Sequence, residues 1–280
     1  MDILTIKIYH DKLISLVSTD FQRELLNASL NNLLDKENKL RFNNFSYGIR
    51  ELSRHILITL APNEEVVKCL WFKNETKKVG QPSRGERIKY AIQGGLPDAF
   101  VSKFFDIEDY KTDVLDAIEL LNKYTHVNEN TFDISEKDVI DFTSLVVKAF
   151  DEFVIAINDC RKHLRDELEQ YIDEALIDHT ISESIDEIDI LSTHHSIESV
   201  ETSHFHIKDL KSEYLSIDAS GFIDVNQQYG SNSDLRRGNG HEQNTSFTFT
   251  SRILMTISET FPDQINLESF AVDTDDWYEE

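Results

Sequence analysis

Cysteine is scarce in this chain: Cys69 and Cys160 are the two among 280 residues. Neither belongs to a CxxC pair and both sit in helical apolar contexts. No disulfide framework is indicated, and the pattern reads as two reduced core thiols in a cytoplasmic protein. Nine glycines and four prolines leave the apolar runs almost unpunctuated, which favours helix. The start, MDILTIKIYHDKLISLV, is interrupted by charge at Lys7, Asp11 and Lys12, unlike a signal peptide. No run reaches the ~18 uncharged apolar residues that a membrane span needs. Basic residues are also few: 28 Lys and Arg against 52 Asp and Glu give a formal net charge of −24. That balance argues against non-specific binding of a polyanion by the chain as a whole.

What is present is the composition of a folded protein, 40% hydrophobic and 10% aromatic, long enough for one large core or two ordinary ones. The charge is unevenly placed. Residues 1–100 carry 15 Lys and Arg against 12 Asp and Glu, a net of +3; the remaining residues carry 13 against 40, a net of −27. The N-terminal third is therefore the surface suited to RNA or another nucleic acid, and the acidic remainder suits a protein partner.

Leucines at near-helical spacing over 3–36, such as Leu13, Leu16, Leu26, Leu30 and Leu33, predict one or two helices broken near Ser18–Asp20, with Asp20 as a cap. Residues 41–61, RFNNFSYGIRELSRHILITLA, predict a helix that ends before Pro62. Asn63 is the expected cap of a following helix, EEVVKCLWFKNE. The segment 73–89 is basic and is marked as a loop by Gly80, Pro82 and Gly85, with Ser83 placed to cap the helix after it. A further helix covers 106–126. A long one begins near Ser135 and runs to about Leu176, spanning ~60 Å at ~1.5 Å per residue. From Ser192 the period changes to alternation, in SIESVETSHFHI, EYLSIDASGFIDVNQQY and TSFTFTSRILMTI. The fold class is therefore α+β: an N-terminal helical bundle over 1–191, with a long connector helix, then a small antiparallel β-sheet domain over 192–280. Trp277 is the expected anchor of the acidic tail on that sheet.

The chemistry-bearing residues gather in the 41–61 helix. Arg50 and Arg54 are four apart, as are Glu51 and His55, so each pair lies along one side. Arg50 and His55 themselves are roughly 140° apart around the axis. A ribonuclease that works without metal needs a base at the ribose 2′-OH, an acid for the leaving 5′-oxygen, and cations on the phosphate. Arginine suits the phosphate because its guanidinium stays charged and bridges two oxygens. Histidine suits the proton transfers because its unperturbed pKa is ~6.5. Arg50, Arg54 and His55 are thus the catalytic candidates, with Glu51 orienting His55. His126, at the end of the 106–126 helix, is a second candidate for proton transfer. Arg161 and His163 on the long helix belong either to that site or to a solvated face.

Lys77, Lys78, Arg84 and Arg87 are the substrate-binding candidates, because a basic loop beside a helix start suits phosphate contacts. Gly80-x4-Gly85 lacks the Lys-Ser/Thr ending of a P-loop. Elsewhere, His194, His195, His204 and His206, with Glu201, offer nitrogen and oxygen ligands for zinc. Asp224, Asp234 and the acids of 273–276 offer carboxylates for magnesium. Arg236-Arg237 offers a phosphate contact. Solvated strands and a charged hairpin tip explain these three groups more simply, and no metal or cofactor is expected.

An R-x4-H spacing on a helix, beside a polar helix terminus that carries a histidine, resembles the HEPN superfamily of helical-bundle ribonucleases, which usually act as dimers. The phrases RFNNFSYGIRELSRHILITLAPNEEVV, LLNKYTHVNENTF, YGSNSDLRRGNG, SFTFTSRI and FAVDTDDWYEE resemble bacterial defence-island proteins of the predicted pPIWI-associating nuclease type. The resemblance spans most of the chain. It implies nucleic-acid cleavage or antiviral defence, a homo-oligomer, and Arg50 with His55 as the motif pair. The leading expectation is a metal-independent HEPN-like endoribonuclease. The rival is a non-catalytic sensor or adaptor that works through protein contacts of its acidic β domain.

Overall fold

A computed structural model describes residues 1–76 and 78–278, except the side chains of Asp276 and Tyr278. In chain order the helices are α1 (Ile3–Leu13), α2 (Asp20–Asn32), α3 (Arg41–Leu60), α4 (Asn63–Val66), α5 (Arg84–Gln93), α6 (Asp98–Val101), α7 (Glu108–Thr125), α8 (Glu136–Ser182) and α9 (Asp186–Asp189). The strands β1 (His194–Leu210), β2 (Tyr214–Tyr229), β3 (His241–Thr256) and β4 (Ile265–Asp273) follow, with α10 (Asn232–Arg236) between β2 and β3. The fold is α+β, helices first and an antiparallel sheet after them. Two compact units divide the chain: residues 1–94 with 101–162, and residues 95–100 with 163–280. The division falls inside α8, upstream of the change of period at 192. No helix among the described residues is long and apolar enough to cross a membrane.

The first unit is built on α3. Phe42, Phe45, Ile49, Leu52 and Ile56 recur every three or four residues and are buried, the stripe of a helix packed on one side. At Gly48 a Cβ would sit 2.1 Å from Ser29 Oγ, so glycine is what lets α2 and α3 approach. The start of α3 is tied to the end of α7, where Asn43 Nδ2 donates to the carbonyls of Tyr124 and Thr131 at 2.8 and 3.1 Å. Phe42 meets the Tyr124 ring edge-on, with centroids 4.9 Å apart.

Three local expectations need correction. Thr19, not Asp20, caps α2, its hydroxyl accepting from Gln22 N at 3.2 Å. A hydroxyl one residue earlier meets the donors of the first turn, and Asp20 becomes part of that turn. Asn63 is the first residue of α4 rather than its cap. Its side chain accepts from Arg87 instead. The helix expected over 64–75 is a single turn. Val66, Cys69 and Trp71 all enter a core with Ala61 and Tyr90. Residues two apart, such as Cys69 and Trp71, lie roughly 200° apart on a helix and cannot share a buried face there.

In the second unit the strands form a meander in the order β1-β2-β3-β4, all antiparallel. Alternation runs through the two central strands, with buried Ser216 out of phase in β2. Leu215, Ile217, Ala219, Ile223 and Val225 of β2, and Phe247, Phe249, Ile253 and Met255 of β3, are buried, as period two requires. Strand β4 is additional to the strands expected from the sequence, because INLESFAVD alternates only weakly. Trp277 sits 6.2 Å from Phe247, and His179 of α8 packs on Phe270 of β4 at 5.3 Å. Gly95 N donates to Lys211 O at 3.0 Å, which places the 95–100 segment at the β1–β2 turn.

Candidate active site

Because the apolar stripe of α3 turns inward, helical spacing leaves Tyr47, Arg50, Glu51, Arg54, His55 and Ile58 fully or partly exposed. Glu51 is the hub. Its Oε1 accepts from Arg50 Nη2 at 2.6 Å and its Oε2 from Arg54 Nε at 3.0 Å. Arg54 Nη2 lies 3.1 Å from His55 Nε2. A guanidinium only donates, so Nε2 accepts and the neutral ring carries its proton on Nδ1. The 140° between Arg50 and His55 is thus bridged by Glu51 and Arg54 rather than closed.

Neighbouring groups fix this row. The His55 ring meets Phe21 of α2 edge-on, with centroids 5.1 Å apart. The Arg50 guanidinium lies 6.0 Å from the Tyr47 ring centre. Thr59 Oγ1 donates to His55 O at 3.0 Å and accepts from Gln22 Nε2 at 3.2 Å, which pins α2 to α3. Arg50 Nε is buried and has no hydrogen-bond partner among the described residues. Two guanidinium groups on one carboxylate leave a net positive patch beside an unprotonated imidazole nitrogen, the types that phosphate contact and proton removal require.

His126 is placed elsewhere. It follows the last residue of α7, its carbonyl accepts from Thr131 Oγ1 at 2.7 Å, and its side chain is exposed. The α7 terminus meets α3 at Asn43, and from there to His55 is roughly 18 Å of helix. The structure therefore groups Arg50, Arg54 and His55 and separates them from His126. Arg161 Nη1 donates to Ile92 O at 3.2 Å, a contact that ties α8 to α5. Burial pushes its guanidinium below the ordinary arginine range.

The basic loop is ordered by an acid. Glu86 is buried; its Oε1 accepts from the backbone N–H of Lys73 and Glu75 at 3.3 and 3.2 Å, and its Oε2 from that of Ser83 at 2.7 Å. Ser83 Oγ returns the favour to Glu86 N at 3.0 Å, completing the capping box of α5. Lys78 and Arg84 are exposed. Lys77 lies outside the described residues. Arg87 is buried and donates to Ala61 O and to Asn63 Oδ1. Burial pushes its guanidinium down as well. Its fork serves the end of α3.

Several of the other groups read from the sequence have local partners. His195 Nε2 lies 3.4 Å from Asp189, and His206 Nε2 lies 3.8 Å from Asp218. Arg252 Nε reaches the same Asp218 at 2.9 Å, which holds that carboxyl below the ordinary range. Asp224 accepts from Ser199 Oγ at 2.7 Å, and Asp234 completes the capping box of α10. Among the described residues no group of three or more His, Cys, Asp or Glu side chains is arranged to hold a metal ion. Phe21 and Tyr47, which touch His55 and Arg50, are not among the candidates that the sequence offers. The signal available was Tyr47 lying three residues before Arg50 on the same helix.

Residues 14–150 match one family model and residues 157–278 match another, both described as predicted pPIWI-associating nuclease. The chain belongs to the predicted pPIWI-associating nuclease family. No curated protein and no solved structure matches it. The first matched segment holds all of α3 and the basic loop, and the second holds the sheet.

Proposed function

We propose that the protein is a defence-associated, HEPN-like endoribonuclease that cleaves RNA without a metal ion. The observation that supports this is the contact row Arg50–Glu51–Arg54–His55. It lies in the part of the chain whose charge is positive, in a family described as predicted nucleases. His55 Nε2 takes the proton of a ribose 2′-OH, the 2′-oxygen attacks phosphorus, and the P–O5′ bond breaks to leave a 2′,3′-cyclic phosphate. Arg50 and Arg54 turn from Glu51 to the non-bridging oxygens, where fixed positive charge favours the transition state. The departing 5′-oxygen takes its proton from the imidazolium of a second copy in a cytoplasmic homodimer. Lys77, Lys78 and Arg84 hold flanking phosphates, while Arg87 supports the fold.

The test is cleavage of RNA in EDTA by the wild type, Arg50→Ala and His55→Ala. EDTA-resistant cleavage with cyclic phosphate ends is expected, slowed by roughly 10²–10⁴ in His55→Ala. A second reading is favoured by the net charge of −27 over residues 101–280: a non-catalytic sensor or adaptor whose acidic sheet unit binds a protein. Absence of EDTA-resistant cleavage by the wild type moves the assignment to it.

A further inference from the structure

The row on α3 is bounded at both ends by aromatic rings. Tyr47 is 58% exposed and Phe21 is 57% exposed, although large aromatics usually bury most of their surface. Between them the contacts are continuous: Tyr47 to Arg50, Arg50 to Glu51 to Arg54, Arg54 to His55, and His55 to Phe21. Tyr47 precedes His55 by eight residues of α3, roughly 12 Å along the axis. Cations therefore occupy the middle of the row and flat apolar faces its ends. We infer that Phe21 and Tyr47 are stacking platforms for two unpaired bases on either side of the phosphate held at Arg50 and Arg54, so that the site selects single-stranded RNA.

Four arguments carry this. Every base has a π-face, so an exposed ring binds it without regard to sequence. In a duplex the bases are stacked on each other and offer no free face, so a site of this kind passes over double strands. Charge complementarity favours a polyanion, because residues 1–100 carry a net of +3 in a chain of −24. A tyrosine under an arginine also keeps the guanidinium beside the platform, as stacked bases and phosphates require. The inference rests on the proposed ribonuclease site, but binding and cleavage are read separately.

The experiment measures fluorescence anisotropy of a 2′-O-methyl single-stranded oligonucleotide and of the matching duplex in EDTA. The proteins are the wild type, Phe21→Ala, Tyr47→Ala, Phe21→Trp and Tyr47→Phe, each also examined by light scattering for its mass in solution. Both rings are exposed, so the alanine variants are expected to fold, and circular dichroism checks this. The expected result is a single-strand affinity about tenfold weaker in each alanine variant, retained in Phe21→Trp and Tyr47→Phe. The duplex should bind more weakly than the single strand and be indifferent to all four substitutions. Single-strand affinity that is unchanged in both alanine variants overturns the inference. So does a fall in affinity that accompanies loss of dimer mass, because the rings then belong to a contact between two copies. A wild type that binds through both rings yet cleaves nothing refutes the nuclease and leaves the stacking site standing.

Discussion

Replacing Arg87 by alanine tests whether that guanidinium belongs to the fold or to a ligand. The side chain is 9% exposed and donates to Ala61 O, itself fully buried, and to Asn63 Oδ1, which is exposed. In Arg87→Ala the Ala61 carbonyl loses a partner that water cannot replace, at a cost of about 1–3 kcal/mol. Water can take the place at Asn63, so that bond contributes about 0.5–1 kcal/mol. Loss of the buried methylene stem adds about 2 kcal/mol. Against these stands the relief of keeping a charge out of water, which already pushes the Arg87 guanidinium down. The balance is about 2–4 kcal/mol, a large share of the ~5–15 kcal/mol that holds a typical protein together. At ~2–4 °C per kcal/mol for a chain of this class, the melting temperature falls by roughly 5–15 °C.

Thermal unfolding followed by far-ultraviolet circular dichroism measures this. Arg84→Ala, at an exposed position of the same helix, is the control and should stay within about 0.5 kcal/mol of wild type. Arg87→Lys should recover little, since an ammonium lacks the planar fork that reaches two acceptors. An Arg87→Ala variant that melts within 2 °C of wild type while losing oligonucleotide affinity would refute the reasoning. The guanidinium would then face a phosphate rather than the end of α3.

Gly221→Ala should disrupt the pairing of β1 with β2. The added Cβ would lie 2.0 Å from Glu201 O and 2.9 Å from the Phe249 ring, and a loss above about 2 kcal/mol is expected, read as faster amide exchange along β1. Burial pushes the Cys69 thiol up to about 12 and the Cys160 thiol up to about 11. At pH 8 their thiolate fractions are then of order 10⁻⁴ and 10⁻³, and Ellman's reagent should label both only on unfolding. Rapid labelling of the native protein would contradict this. Since both values lie above the ordinary 9.0, this contribution to stability is full below pH 9 and lost as the pH rises toward 11–12.

Periodicity made most of the fold legible. The stripe from Phe42 to Ile56 and the alternation from Leu215 to Val225 are each long enough to outweigh local exceptions. What escaped was decided by distant neighbours. The turns after Val66 are set by packing on Tyr90, a residue well along the chain. Strand β4 is defined by pairing with β3 rather than by its own pattern. Arg84 and Arg87 look alike in a basic segment, and α5 separates them, one outward and one onto the Ala61 carbonyl. The α3 cluster was legible as a set of residue types, because spacing on a single helix is nearly fixed. The flanking ring of Phe21 was not, since it arrives from α2 through the close approach at Gly48.

Glu86 gives the basic loop a property that its lysines conceal. Main-chain donors converging near a helix start form the cradle in which many proteins hold a phosphate. Here the cradle is already filled by a carboxylate from the same chain. The loop carries its own anion, and what it offers a polyanion is side-chain charge alone. Contacts of that kind sense charge density rather than position, and counterions compete with them directly. Any affinity contributed by this loop is therefore the share of binding that rising ionic strength removes first, leaving whatever the rings and the α3 arginines provide.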